Sequence, residues 1–550
     1  MSRTKKKPTT PIRTPTPTRA AAVRLVEIDI LAAITVVVCV VLAYATHNSI
    51  NPDGVSYLDL AAALRRGDWR SFVQGYWSPL YPALLAVVGS ASSFEGNAFL
   101  PTVHYLNAAI AGLGVAAIWR WGHRTRDRII ARAGMATFIM AAARPLRIES
   151  VTPDLLLLSL MAWTAYELIV HRGERWIRLG LLLGVLFLTK TSVWPWLIVF
   201  TLVRVADNDG RLARTVALRA GGVMMLVVAP WIIAMSSSVN HFTMSSAGRL
   251  NICWYLESCD GRTPDTHVGD HQLYGQIPLE SGEAVVVAGI DDKHRWTYLP
   301  WSDPTTWGAG VIRQNTTPPT IGSLMSYWAK QGYYAVGYWI SPVVLLVLVP
   351  FALVHRRRPE GRIPDPAQGK MLVLAALGLA GIAQFIAVHA EPRLIAPFVM
   401  LMVMALLAWL RMRAPTDDSI TVPARRWRDG VTAAMAAIAL ILGAGRVSGE
   451  MEASGEVARR FAVIESRFRV IDTGVDRRVA LIGYAMPALG DLWRAGARVV
   501  AQIPPYAAVL IGQLPADKQA EELRRMFGGT AHAAWLVNPD GRFQWVNLGE

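Results

Sequence analysis

The sequence predicts a polytopic α-helical membrane protein with a small α/β domain at its C-terminus. Three observations carry this. Hydrophobic residues make up 53% of the 550 positions and charged residues 17%, with a mean hydropathy of +0.32. Apolar runs recur along the chain, several of them long enough to cross about 30 Å of hydrocarbon as helices. After residue 446 the pattern changes to short apolar stretches separated by polar turns.

The elements follow in order. Residues 1–27 form a basic tail, rich in Pro and Thr, expected to be disordered and cytoplasmic. A transmembrane domain is expected over 28–446. Its first helix spans about 28–46, and Ile30 to Ala45 is nearly all hydrocarbon. Further spans are read at about 101–121, 128–144, 152–170, 177–189, 191–204, 215–235, 336–354, 370–389, 393–411 and 429–446. That makes eleven. The fifth and sixth turn back near Thr189-Lys190-Thr191; a single helix kinked at Pro195 is the other reading and would change the parity. Ala43-Tyr44-Ala45 resembles a signal cleavage site, but the run is longer than a usual signal core, which favours an uncleaved anchor.

Charge supports eleven. The connections 120–132, 171–178, 204–219, 355–362 and 411–428 are rich in Arg, and eleven spans place all five on the side of the basic tail. The net charge of +15 therefore reads as membrane topology and not as a nucleic-acid footprint. Segments 47–100, 145–151, 236–335, 389–392 and 447–550 then face outward. In the last of these, Val479–Gly483, Ala497–Ile503 and Ala534–Val537 read as strands and Lys518–Phe527 as a helix. This soluble extracytoplasmic unit would cover the membrane domain or help to bind a ligand there.

Polar residues concentrate at the outward helix ends. Asp53 follows the first span in Asn51-Pro52-Asp53-Gly54. A carboxylate at that depth is either solvated or acts on something held at the interface. Tyr57 to Trp69 reads as an amphipathic helix, with Leu58, Ala61, Ala62 and Leu64 against Arg65, Arg66 and Asp68. The cluster Tyr76-Trp77-Ser78-Pro79-Leu80-Tyr81-Pro82 then opens a second short helix to Gly89, with rings suited to the headgroup level. Interfacial anchoring explains the apolar residues but not the placement of Asp53 and Asp59.

This arrangement resembles the GT-C superfamily of membrane glycosyltransferases, nearest in pattern to the protein O-mannosyltransferases and the lipid A aminoarabinose transferases. Three further stretches share the resemblance. Arg147-Ile148-Glu149-Ser150-Val151-Thr152-Pro153-Asp154 is similar to the second acidic element, Gly180 to Lys190 to the Gly-rich helix ending in Thr-Lys, and His389-Ala390-Glu391-Pro392-Arg393 to the late Arg-Tyr-x-x-Pro element. The chain departs from the pattern at Gly54, where the family carries Glu, at Trp77-Ser78, where it has His-Pro, and at Leu394, where it has Tyr.

The resemblance implies transfer of a sugar from a polyprenyl-phosphate donor to a glycan, lipid or protein acceptor, on the outer face of a bacterial inner membrane. An inverting single displacement is implied with it. Asp53 is the candidate general base, because an attacking hydroxyl must lose a proton. Lys190 and Arg393 suit the phosphate, as a point charge and a bidentate fork; snorkelling at helix ends is the bland alternative for both. Asp154 is expected to orient the acceptor or pair with Lys190. Tyr57, Trp77, Tyr81, Arg147, Glu149 and His389 complete the candidate substrate site. A transporter or lipid flippase is the alternative function; it would place charged or Gly/Pro-broken sites at mid-membrane in repeated halves.

No cofactor is implied. Asp265, His267, Asp270 and His271 cluster in the large outward loop and could hold a divalent metal, or lie idle there. There is no Walker loop, GxGxxG or HExxH motif. Cys39 reads as a packing residue, and Cys253 and Cys259 as either a small disulfide loop or two free thiols.

Overall fold

The computed structural model describes residues 19–89, 97–125, 127–143, 146, 148–171, 175–193, 210–256, 274–279, 284–290, 296–304, 320–335, 366–413, 422–471, 477–483, 486, 488–503, 505–527, 531–537 and 543–548. The helices are α1 (Arg19–Ala45), α2 (Pro52–Arg65), α3 (Trp69–Phe72), α4 (Leu80–Val88), α5 (Leu100–Thr125), α6 (Arg128–Ala143), α7 (Asp154–Val170), α8 (Trp176–Thr189), α9 (Gly210–Val239) and α10 (Ala247–Tyr255). After strands β1 (Tyr274–Pro278) and β2 (Ala284–Gly289) come α11 (Leu299–Ser302), α12 (Ile321–Ala335), α13 (Pro366–Val388), α14 (Pro392–Arg413) and α15 (Val422–Ile471). The C-terminal unit holds β3 (Arg477–Gly483), α16 (Leu489–Arg494), β4 (Ala497–Ile503), α17 (Pro505–Gly512), α18 (Ala516–Phe527), β5 (Ala533–Val537) and β6 (Phe543–Asn547).

Nine of the eleven expected spans fall on described helices. The one at 336–354, and the one at 191–204 from residue 194 onward with its Pro195 alternative, lie outside the described residues. Among the described residues, five helical stretches are long and apolar enough to cross a membrane: Leu25–Ala45, Leu100–Thr125, Ala217–Val239, Met371–Val388 and Pro392–Leu410. The helices pack side by side, α13 on α14, α8 on α9, α5 on α1 and α7, and α15 on α6. On α8 the small residues make this contact close. A Cβ on Gly180 would lie 2.5 Å from the Ala220 carbonyl oxygen, and one on Gly184 2.7 Å from Cβ of Val227. Small residues one turn apart let membrane helices approach in this way. Cys39 is buried within the bundle.

The two ends of the bundle differ. At one end Glu27 accepts from Arg132 Nε at 2.7 Å, Arg128 pairs with Asp429, and Asp29 accepts from Trp119 and His123. At the other end lie Asp53, Asp154, Lys190 and Arg393, beside the C-terminal sheet.

That sheet has six strands in the order β1-β2-β4-β3-β5-β6, with β3 parallel to β4 and β5 and the outer pairings antiparallel. Alternation splits its two faces. Val479, Leu481, Val499, Trp535 and Val537 belong to the core shared with the bundle, whereas Ala480, Ile482, Ala501, Ile503 and Leu536 face a second core with residues of α17 and α18. The sheet therefore lies flat on the bundle end.

Four expectations change here. The sheet is not confined to 447–550, because β1 and β2 come from the 236–335 segment. The boundary at residue 447 falls inside α15, which runs unbroken from Val422 to Ile471. And α1 already begins at Arg19, inside the tail expected to be disordered to residue 27. At the end of α2, Arg65 and Arg66 are exposed, as an amphipathic helix requires, but the first half of the helix is sealed. Gly54 through Ala61 are all buried, because α11 and α16 pack over them. Its polar residues are used inside: Asp59 accepts from Thr297 N at 2.9 Å, Thr297 Oγ1 at 3.0 Å and Ser302 Oγ at 2.8 Å.

Candidate active site

Local sequence places each charged group. Asn51 caps α2 with extended backbone, and Pro52 occupies the first turn, where its missing N–H costs nothing. Asp53 in that turn complements the helix dipole. The Asn51 side chain accepts from Val151 N at 2.9 Å, which ties the α2 start to the loop preceding α7. Gly54 permits that approach, since a Cβ there would stand 2.7 Å from Cβ of Val151. This accounts physically for a glycine at the position where the resemblance expects Glu. The same loop delivers Asp154, 1% exposed, as the first residue of α7. Lys190 caps the C-terminus of α8, and its Nζ lies 2.6 Å from Asp154 Oδ1.

Arg393 is placed against the dipole. It follows Pro392 at the start of α14, where a cation is disfavoured. Three carboxylates compensate: Nη1 donates to Asp53 Oδ2 at 2.6 Å, Nε to Glu391 Oε2 at 2.5 Å, and Asp154 Oδ2 is 3.8 Å from Nη1. Burial raises the Glu391 carboxyl, but His389 and Arg393 outweigh it and hold the group well below the usual carboxylate range. His389 Nε2 lies 3.2 Å from Glu391 Oε1, and its ring stacks on Tyr255 at 3.9 Å.

These groups line one cavity of about 630 Å³. Aromatic residues form its opposite wall. Tyr57 and Trp77 meet edge to face at 4.9 Å, and Trp77 meets Trp301 at 5.9 Å. The Trp301 carbonyl accepts from Trp77 Nε1 and Ser56 Oγ, both at 3.2 Å. Burial, then the charges of Asp154 and Asp53, pushes the Tyr57 phenol well up; burial and then Glu391 push Tyr255 up to about 12. Both phenols therefore stay protonated and can donate. The turn carrying Trp301 is itself braced from the sheet, where Val499 N donates to the Thr297 carbonyl at 3.0 Å and Tyr298 Oη to Gln502 at 2.7 Å.

Of the residues singled out from sequence, Asp53, Asp154, Tyr57, Trp77, Lys190, His389 and Arg393 line the cavity. Tyr81 stands behind the wall, fully buried and donating to Asn107 at 2.9 Å. Glu149 instead pairs with Arg446 of α15 at 2.5 Å. Arg147 lies outside the described residues, as do Asp265, His267, Asp270, His271, Cys259 and the side chain of Cys253. Sequence reading did not assign Tyr76, Trp301, Tyr255 or Met486 to the site, although all four line it. Trp301, Tyr255 and Met486 come from the long outward segment and the C-terminal unit, with no spacing that ties them to Asp53. Glu391 was noted only as a neighbour of Arg393.

No protein-family profile matches the chain, and no curated protein matches it either. Among solved structures, the crystal structure of ArnT from Cupriavidus metallidurans bound to undecaprenyl phosphate is similar with a TM-score of 0.51. It is 15% identical, over 93% of this chain and 93% of that one. The apo state of the same protein aligns with a TM-score of 0.38 at 14% identity, over 95% and 94% of the two chains. The likeness to the bound form is one of fold: a polytopic helical bundle carrying a small sheet.

Proposed function

We propose that this chain is a membrane glycosyltransferase that moves a sugar from a polyprenyl-phosphate donor to a glycan, lipid or protein acceptor at the outer face of the inner membrane. The observation that carries the reading is the convergence of Asp53, Asp154, Lys190 and Arg393 on one cavity at a single end of the bundle. The ArnT structure with undecaprenyl phosphate supports a lipid-phosphate partner for a fold of this shape. In the reaction, the acceptor oxygen attacks the anomeric carbon and its proton passes to Asp53. The bond from that carbon to the phosphate oxygen breaks, and its electron pair leaves on the polyprenyl phosphate. Lys190 and Arg393 stabilise the charge that develops there. The aromatic wall presents apolar faces to the sugar ring, while Tyr57 and Tyr255 offer hydroxyl donors. Eleven spans with the site outward complete the reading, from the five Arg-rich connections on one side.

The test is transfer by the purified protein from a labelled polyprenyl-phosphate sugar to a membrane extract. Asp53→Asn keeps the shape and removes the base, so the rate should fall by a factor of roughly 100 to 10,000. Transfer within tenfold of wild type rules out Asp53 as the base.

A further inference from the structure

Arg393 is shared, and the way it is shared has a direction. Among the described residues that line the cavity, Lys190 and Arg393 are the lysine and arginine side chains, and both already face carboxylates. Lys190 is engaged by Asp154. Arg393 is gripped at two separate edges, with Glu391 on Nε and Asp53 on Nη1. An anionic phosphate uses an arginine best as a two-pronged fork. The Nε edge is held by Glu391, whose other oxygen is tied to His389. The fork that remains is the Nη pair, and a phosphate there meets Asp53 at Nη1, where the two anions crowd one nitrogen.

Building on the glycosyltransferase reading above, we infer that the donor phosphate and Asp53 compete for Nη1 of Arg393, with Glu391 as the positioning residue that keeps Nε throughout. Without donor, Oδ2 of Asp53 is engaged by the guanidinium. When the phosphate arrives, Asp53 is released and can take the acceptor proton as the anomeric carbon changes oxygen partners. The base is thus switched on by the donor, and the site does not activate an acceptor before a sugar is in place. Asp154 serves as the fixed member. One of its oxygens is on Lys190; the other is buried, without a hydrogen-bond partner among the described residues, and points at the same guanidinium from 3.8 Å.

The test is a double-mutant cycle on the affinity of the full-length, detergent-solubilised protein for undecaprenyl phosphate. Asp53→Asn should tighten binding by about tenfold when Arg393 is present, a coupling in the range of contacting pairs. It should change binding by less than about twofold in an Arg393→Ala background, where there is nothing left to compete for. Equal tightening in both backgrounds would mean only that one negative charge was removed, and overturns the competition; so does no tightening at all. Glu391→Gln should lower kcat by at least about tenfold while affinity is kept or improved, because the Nε edge is then open to the phosphate, which can bind there without releasing Asp53 from Nη1. A parallel loss of kcat and affinity marks Glu391 as merely structural and overturns its assigned role. If Arg393→Ala does not fold, a structure of the wild type with undecaprenyl phosphate decides: the Nη1–Asp53 contact should be open and the Nε–Glu391 contact kept, whereas an intact Nη1–Asp53 pair beside bound phosphate overturns the inference. Wild type that binds no undecaprenyl phosphate overturns the donor reading and this inference together; binding without coupling overturns this inference alone.

Discussion

Asp59 offers the sharpest test of how the roof of the cavity is held. Its carboxylate is buried on α2, one end of a clip whose other end is the turn from Thr297 to Ser302. Burial is the largest influence and raises its pKa; the bonds from Thr297 and Ser302, and then the charge of Arg66, pull the other way, leaving it at about 6 against an ordinary 3.8. The folded carboxyl thus holds its proton more tightly than the unfolded one. The associated stability is fully present below the unfolded value and is lost as pH rises through about 6. At about 1.4 kcal/mol per pH unit, this amounts to about 3 kcal/mol. Asp59→Asn removes the titration. It also puts an amide NH₂ in place of one oxygen, facing one or two of the three donors, which costs about 1–3 kcal/mol for the bond or bonds lost. The variant should therefore lose ground to wild type by about 2–3 kcal/mol as pH falls from 7 to 4. The assay is equilibrium unfolding of the solubilised protein between pH 4 and 7.5, wild type against Asp59→Asn. A gap between the two that does not change with pH refutes the reasoning, since Asp59 then does not titrate as a buried carboxyl must.

Other outcomes are expected from the same geometry. Gly54→Ala should lower transfer by at least about tenfold with the fold retained, because its Cβ meets Val151 at 2.7 Å and parts Asp53 from the Asp154 loop; transfer at the wild-type rate means that the loop moves aside freely. Lys190→Met should destabilise the protein by about 3–5 kcal/mol, as it strands the buried Asp154, and adding Asp154→Asn should recover most of the loss in a denaturation series. Cysteines placed in β3–β6 should label in intact cells and those placed in the 120–132 connection only after permeabilisation; the reverse pattern sinks the outward site. Trp301→Ala should raise KM for the sugar donor more than it lowers kcat, because the ring lines the cavity.

Much of the bundle could be read from sequence because a membrane demands long apolar runs. Asp53, Asp154, Lys190 and Arg393 stood out for a related reason: each interrupts hydrocarbon at a helix end, next to Pro, Gly or Thr. The burial of the first half of α2 was not legible, because a polar residue that bonds a distant loop looks, in sequence, like one that faces water. Ser56 and Asp59 meet Trp301, Thr297 and Ser302 from more than two hundred residues away. The β1–β2 hairpin was passed over for the same cause. Its partner strand β4 lies in another part of the chain, so nothing local sets it apart from loop. In the C-terminal unit, β3, β4 and β5 were visible as apolar runs, whereas β6, with its mix of polar and aromatic residues, was not.

The pairing of Arg393 with Asp53 spans 340 residues. A ribosome adding about 5–20 residues per second needs roughly 20–70 s to cover that distance. Asp53, Asp154 and Lys190 are thus laid into the bilayer long before the arginine that joins them, and the turn bearing Trp301 is braced by β4 later still in synthesis. The nascent chain carries its carboxylates through most of its own synthesis with the site unbuilt. Truncation anywhere before the C-terminal sheet leaves an inserted protein without an assembled cavity, so cells that stall or clip this chain late should accumulate a membrane-embedded but inactive product.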